Sequence, residues 1–291
     1  MKDRTGIGAL TELARQAPDW LQVLREDLEL GHVRHALFDF DGTISTLRQG
    51  WEQIMHPLMV EMICGDADIS REQRDRVEAE VAAYIDRSTG ILTIRQMEWL
   101  AEAVRRYGWS QQPRSAQEYK AIYNERLLRP VRERMKLLTE GRKGPEDFMI
   151  SGGRRFLEAL AASGVTLYLA SGTDHVYVRQ EAEALGIASF FTGGIYGALD
   201  ETEAHDKAQV IERILNAHGL AGHALLVVGD GPVEIREGKQ RGALTIGVAS
   251  DEIRRRGWNA RKRRRLLEAG ADLLIPDFTR AETLIPCLVG G

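Results

Sequence analysis

Three short apolar runs, each closing on a polar residue or a glycine, constrain this chain more than any other feature. His35-Ala36-Leu37-Phe38 ends at Asp39, Thr166-Leu167-Tyr168-Leu169-Ala170 ends at Ser171, and Ala224-Leu225-Leu226-Val227-Val228 ends at Gly229-Asp230. Each is too short for a helix and unbroken by polar residues, which is how a parallel strand buried on both faces reads. Residues 244–248 and 272–275 are two further candidates. Helical patterns lie between the runs. Residues 151–163 place Phe156, Leu157 and Leu160 on one face and stop at Gly164, and residues 174–185 stop at Gly186. Residues 206–218 carry Asp206 as N-cap, Val210, Ile211, Ile214 and Leu215 as a stripe, and Gly219 as a stop. Strand and helix in alternation predict a doubly wound α/β fold on a parallel sheet.

Residues 47–146 differ, with helical patterns and no strand-like run. In residues 93–107, Thr93 and Gln96 form a capping box ahead of Ile94, Met97, Leu100, Ala101 and Val104. A chain of 291 residues is long enough for two domains. The expected division is an α/β core from residues 1–46 and 147–291, with extra helices at 1–30, and an inserted helical cap at 47–146. A net charge of −4 gives no global reason to expect nucleic acid or an anionic membrane as partner. Cys64 and Cys287 are too few and too distant for a disulfide framework. No secretory apolar segment opens the chain and no apolar stretch approaches a membrane span, so a cytoplasmic protein is expected.

In open parallel sheets, ligands bind outside the carboxyl ends of the strands, so Asp39, Asp41, Ser171 and Asp230 should converge. Carboxylates gathered there repel one another unless protonated or neutralised by a cation. All-oxygen ligands suit a hard ion, and Mg²⁺ is the expected one. In Asp39-Phe40-Asp41-Gly42-Thr43 both acids face one way while Phe40 points to the core, and Gly42 lets the chain turn. One acid can then act ionised and the other protonated. Ser171-Gly172-Thr173 reads as the opening of a helix whose N–H groups cradle an anion. Lys207 lies in a first helical turn, where a cation is opposed by the macrodipole unless both point at a phosphate. Pro232 begins a short helix, which would turn Asp230 and Glu234 to one side.

This combination, D-F-D-G-T, a strand ending in S-G-T, a helix-start lysine and a strand ending in G-D-x-x-x-E, resembles the haloacid dehalogenase (HAD) superfamily over about residues 33–291. The resemblance implies a Rossmann-like core with an inserted C1 cap and a phosphatase of the phosphoglycolate phosphatase kind. Asp39 would be the nucleophile, forming an aspartyl-phosphate, and Asp41 the general acid and base. Thr43, Ser171, Gly172 and Lys207 would bind the phosphate of a small phosphorylated metabolite. Mg²⁺ would be held by Asp39, the Asp41 carbonyl and Asp230, with Glu234 at or near the ion. The family's commonest fourth motif ends in aspartate, so Glu234 departs by one methylene. Asp41 argues for C–O–P hydrolysis over C–halogen cleavage, since a halide needs no proton. A phosphomutase, or a non-catalytic phosphometabolite-binding regulator, are the alternatives.

Three other features read blandly. Residues 254–265 hold eight basic side chains, expected as a solvated helix face pairing with acids such as Asp251 and Glu252. Gly193-Gly194-Ile195-Tyr196-Gly197 reads as a tight turn between short strands, and His56, Trp51, Tyr84 and Trp99 read chiefly as cap core. His175 is expected near the site but outside direct contact with substrate.

Overall fold

A computed structural model of the chain describes residues 5–16, 19–198 and 206–290. The strands are β1 (Gln22–Val23), β2 (His35–Phe38), β3 (Thr166–Asp174), β4 (Gly194–Ala198), β5 (Leu225–Gly229), β6 (Leu244–Val248) and β7 (Leu273–Ile275). The helices are α1 (Thr5–Gln16), α2 (Trp51–Cys64), α3 (Arg71–Ser88), α4 (Thr93–Tyr107), α5 (Ala116–Thr139), α6 (Gly153–Ala162), α7 (His175–Ala184), α8 (Lys207–His218), α9 (Pro232–Gln240), α10 (Ala260–Glu268) and α11 (Ile285–Val289). The sheet runs in the order β1-β7-β6-β5-β2-β3-β4, with every described pairing parallel except β1 on β7.

Alternation along each strand supplies both faces of this sheet. Ala36, Phe38, Leu226 and Val228 pack with Phe156 of α6 and Val178 of α7 on one side. Leu37, Leu225 and Val227 pack with Val210, Ile211 and Ile214 of α8 on the other. This side continues past Ile235 of α9 and Leu266 of α10 against Leu274. Helices α2 to α5 fall between β2 and β3 and build a separate apolar core around Met59, Val81, Leu100 and Tyr123. Among the described residues no helix is long and apolar enough to cross a membrane.

Four local expectations need correction. The N-terminal segment, expected as one or two extra helices, holds helix α1 among its described residues but then a strand, β1, which joins the sheet; residues 1–4 and 17–18 lie outside the described residues. Residues 194–198 form edge strand β4, although two of its five residues are glycine. The N-cap of α4 is Leu92, without a side-chain cap, because Gln96 instead donates to the Ser88 hydroxyl at 3.2 Å and ties α4 to α3. Ser171-Gly172-Thr173 does not open a helix. β3 runs on to Asp174 through a register shift against β4, and α7 starts only at His175. Such a bulge re-aims side chains at a strand end.

Candidate active site

The turn after β2 sets the first two acids. Phe40 is fully buried, and its carbonyl accepts from the amides of Ile44 and Ser45, both at 2.9 Å, which folds the chain back on itself. Gly42 sits at φ +80°, and a Cβ there would lie 2.4 Å from Asp230 Oδ2. A glycine is therefore required both by the left-handed backbone and by the close approach of β5. Asp39 and Asp230 meet across one hydroxyl: Thr43 Oγ1 is 3.0 Å from Asp39 Oδ2 and 3.3 Å from Asp230 Oδ1.

Lysines engage the outer oxygens of this pair. Lys207 Nζ donates to Asp39 Oδ1 at 2.6 Å and to Glu234 Oε2 at 2.9 Å. Glu234 Oε1 accepts from the Gly231 amide at 2.7 Å, since Pro232 starts α9 and turns Glu234 back over the helix N-terminus. Lys207 is the first residue of α8, with Asp206 as N-cap accepting from the Gln209 amide. Its ammonium thus meets carboxylates that offset the helix dipole. Lys262 of α10 pairs with Asp230 Oδ2 at 2.5 Å and Glu252 Oε1 at 2.6 Å. Lys262 is 6% exposed, so the basic run is not wholly a solvated face. No motif marks Lys262; its only signal was the density of cations in a segment following β6.

Asp41 is held differently. Its Oδ2 accepts from Ser171 Oγ at 3.0 Å and Thr173 Oγ1 at 3.1 Å, and its buried Oδ1 has no hydrogen-bond partner. Arg48 Nε lies 3.8 Å from that oxygen and is committed to Glu181, with Nη2 to Oε1 at 2.6 Å. Arg48 and Glu181 carry no sequence signal as site residues, because each depends on the packing of α7 against the turn after β2; Thr173 stands in the sequence only as the end of the Ser171-Gly172-Thr173 turn, not as a partner of Asp41.

Burial weighs on all three aspartates but decides the direction for only two of them. It pushes the Asp39 carboxyl well above its ordinary value, with the Lys207 ammonium opposing and Glu234 and Asp230 adding to the rise. It raises Asp41 as well, against Arg48 and the two hydroxyls. Asp230 goes the other way: burial pushes it up, but Lys262, with Arg265 and Lys207, together hold the carboxyl below the usual range. Burial and the nearby Asp41 push Glu181 up to about 7, with Arg48 opposing.

Carboxylate oxygens of Asp39, Asp230 and Glu234 lie within 4.8 Å of one another. Asp39 Oδ2 and Asp230 Oδ1 share one hydroxyl donor, and such facing anionic oxygens could hold a hard divalent cation. Both oxygens of Glu234 are already engaged, by Lys207 and by the Gly231 amide. Asp39, Asp41, Ser171, Gly172 and Asp230 line a cavity, and the inserted helices roof it with Trp51, Thr89, Ile91, Gln96, Tyr123 and Leu127. Lys207 borders an adjoining cleft with Gly90 and Ile91. Thr43 is fully buried. Of the aromatic residues singled out in the insert, only Trp51 reaches the cavity; Tyr84 and Trp99 stack on each other at 3.9 Å, and His56 contacts the Glu78 carbonyl. His175 is not among the lining residues.

A parallel sheet with carboxylates at adjoining strand ends under a helical insert defines an α/β enzyme with its chemistry outside the strand termini. The chain belongs to the haloacid dehalogenase-like hydrolase family, whose model matches residues 33–242. A 5'-nucleotidase from Pseudomonas aeruginosa is 33% identical over 115 residues, 38% of this chain. The match spans about half, 51%, of that relative's length. Among solved structures, a predicted phosphoglycolate phosphatase from Haemophilus somnus 129PT aligns with a TM-score of 0.57 at 14% identity, covering 87% of this chain and 98% of its own. β-Phosphoglucomutase from Clostridium difficile aligns with a TM-score of 0.52 at 14% identity, covering 85% and 92%. At such identities the likeness is one of fold: a Rossmann-like core with a helical cap.

Proposed function

We propose that the protein is a Mg²⁺-dependent phosphate monoesterase that acts on a small phosphorylated metabolite through an aspartyl-phosphate on Asp39. The observation that carries this reading is the division of roles between the two acids of one turn. Asp39 is fixed by the Lys207 ammonium and Thr43 beside Asp230, while Asp41, away from both lysines and held by Ser171 and Thr173, keeps one buried oxygen unpartnered.

The Asp39 carboxylate attacks phosphorus, and the bond from phosphorus to the ester oxygen breaks. Asp41, held by Ser171 and Thr173, gives its proton to the departing oxygen and is left ionised. A water then attacks the phosphoryl group, losing a proton to Asp41, and the bond to Asp39 breaks to release inorganic phosphate. Lys207 offsets negative charge at the nucleophile, and Ser171 with the Gly172 backbone lies at the phosphate side. Mg²⁺, held by Asp39, the Asp41 carbonyl and Asp230, would supply charge neutralisation between nucleophile and substrate. We assign Glu234 to Lys207 and to the α9 terminus, with Asp230 as the direct ligand. Thr43 sets the facing acids and stays out of reach of substrate.

Trp51 and Tyr123 line the cavity, and aromatic side chains there would suit the face of a sugar or a base. A sugar phosphate or phosphoglycolate is the substrate class expected, and the nucleotidase relative adds nucleoside 5'-monophosphates. A cytosolic setting fits such substrates. Phosphate release across a panel of these three classes tests the reading; no release from any with Mg²⁺ present would sink it. A sugar phosphomutase is the second reading, favoured by a cap that leaves Asp39 only 7% exposed. A hexose 1-phosphate that isomerises without releasing phosphate would select it. A non-catalytic phosphometabolite-binding regulator would instead bind the panel tightly without turnover.

A further inference from the structure

Helix α10 carries four of its cations toward the rest of the protein: Arg263 donates to Gln22 at 3.0 Å, and only Lys262 is absorbed by the catalytic acids. Arg261 and Arg265, one helical turn apart, reach the cap instead. Arg261 donates through Nε to Asp86 Oδ1 at 3.0 Å and through Nη1 to Glu52 Oε2 at 3.0 Å. Arg265 converges on one nitrogen: Nη1 meets Thr89 Oγ1 at 3.0 Å, Asp86 Oδ1 at 3.1 Å and Glu52 Oε1 at 3.4 Å. Glu52 belongs to α2 and Asp86 to α3, and Thr89 directly follows α3. Arg265 is 5% exposed, so its pairs are screened little by salt.

Thr89 begins the stretch that roofs the cavity. Gly90 passes beside Glu234 and Lys207: a Cβ on it would stand 2.5 Å from Glu234 Oε2 and 3.4 Å from Lys207 Nζ. Ile91 lays its carbonyl against Gly172, where a Cβ would come within 2.2 Å. Thr93 Oγ1 donates to the Gly172 carbonyl at 3.3 Å. Residues 89–93 therefore rest on two catalytic strand ends at once, and Arg265 grips their leading residue from the core.

We propose that Arg265, supported by Arg261, is a positioning residue that seats the cap stretch 89–93 over the catalytic acids. The effect on turnover rests on the monoesterase reading; the seating does not. A residue that only packed α10 would, when lost, weaken the whole molecule evenly. Loss of a seat loosens one stretch and weakens substrate binding.

The test uses the full chain with Arg265→Gln, Asp86→Asn and Arg265→Lys, and Arg264→Gln on the exposed side of α10 as control. Hydrogen exchange across residues 88–93 should quicken about fivefold or more in the Gln and Asn variants while β5 keeps its protection. KM for p-nitrophenyl phosphate should rise about threefold or more with a smaller change in kcat. Arg265→Lys should recover most of both, because a single nitrogen serves all three acceptors. The Arg265→Gln/Asp86→Asn double variant should lose less than the sum of the two singles, because the shared Arg265–Asp86 pair is counted in both. Should Arg265→Gln fail to fold, Asp86→Asn, a partly exposed cap residue, carries the same test. Unchanged exchange at 88–93 in the variants that fold, or acceleration spread evenly over the chain, overturns the proposal. A local loosening in a protein that hydrolyses no phosphate ester upholds the seat and sinks only the monoesterase reading.

Discussion

Asp39 holds two oxygens in different company, Lys207 at one and Thr43 at the other, and its substitutions should follow that division. Asp39→Asn keeps the shape and removes the proposed nucleophile. Phosphate release should fall by about a thousandfold or more, with circular dichroism and melting near wild type. Residual turnover near the wild-type rate would remove Asp39 from its role. Lys262→Met should act on stability. It leaves the buried Asp230 carboxylate without its cation, and the half-buried Glu252 too, which costs about 3–5 kcal/mol where a buried pair is broken, measurable by urea unfolding. The contrast between these residues explains what was legible. Asp39, Asp41 and Asp230 announce themselves because each lies within three residues of the end of an apolar run. Lys262, Arg48 and Glu181 act through side chains folded back from other elements, and nothing local distinguishes a cation that turns inward from one that stays in water.

Elements show the same split. The buried strands β2, β5 and β6 were readable because a strand covered on both faces is almost wholly apolar: β5 has no polar side chain, and β2 and β6 one each, His35 and Thr245. β4 was not, since glycines at 194 and 197 carry little strand preference and its place comes from pairing with β3. The bulge at 171–173 was equally hidden: serine before a helix is normally a cap, and only the Asp41 carboxylate explains why both hydroxyls turn toward β2. Gly172 is the seam between core and cap. Gly172→Ala would drive a methyl into the Ile91 carbonyl, so the seam must part. KM should rise several-fold, roughly the effect of losing one or two hydrogen-bonded contacts, while the melting temperature moves little. A KM equal to wild type would show that the cap does not press on substrate there.

At the scale of the molecule, two conditions should govern behaviour. EDTA should remove phosphate release and added Mg²⁺ restore it; turnover indifferent to EDTA would exclude the metal reading. Acidity should act far from the site, at the opposite end of the sheet. There His35 Nδ1 and His218 Nε2 both lie 3.1 Å from Tyr168 Oη. Burial lowers the His35 pKa, and His218 and Arg34 lower it further. Above the unfolded value of about 6.5 the imidazole is neutral in both states and its contribution is complete. As pH falls below that value the unfolded chain takes the proton first, and stability is lost until the folded-state value is passed. Urea midpoints from pH 8 to 5 should fall, and fall less in His35→Gln; parallel curves for the two proteins would contradict the assignment.

The two-residue strand β1 pairs Gln22 with Leu274 and Val23 with Leu273, and the Leu24 amide reaches the Asp272 carbonyl at 2.8 Å. It is a guard rail along the outermost parallel strand, supplied by the same chain that would otherwise leave that border bare. Shorn of everything before residue 26, the molecule should keep its catalytic turn but acquire a sticky flank, and light scattering should register dimers or larger clusters growing with concentration.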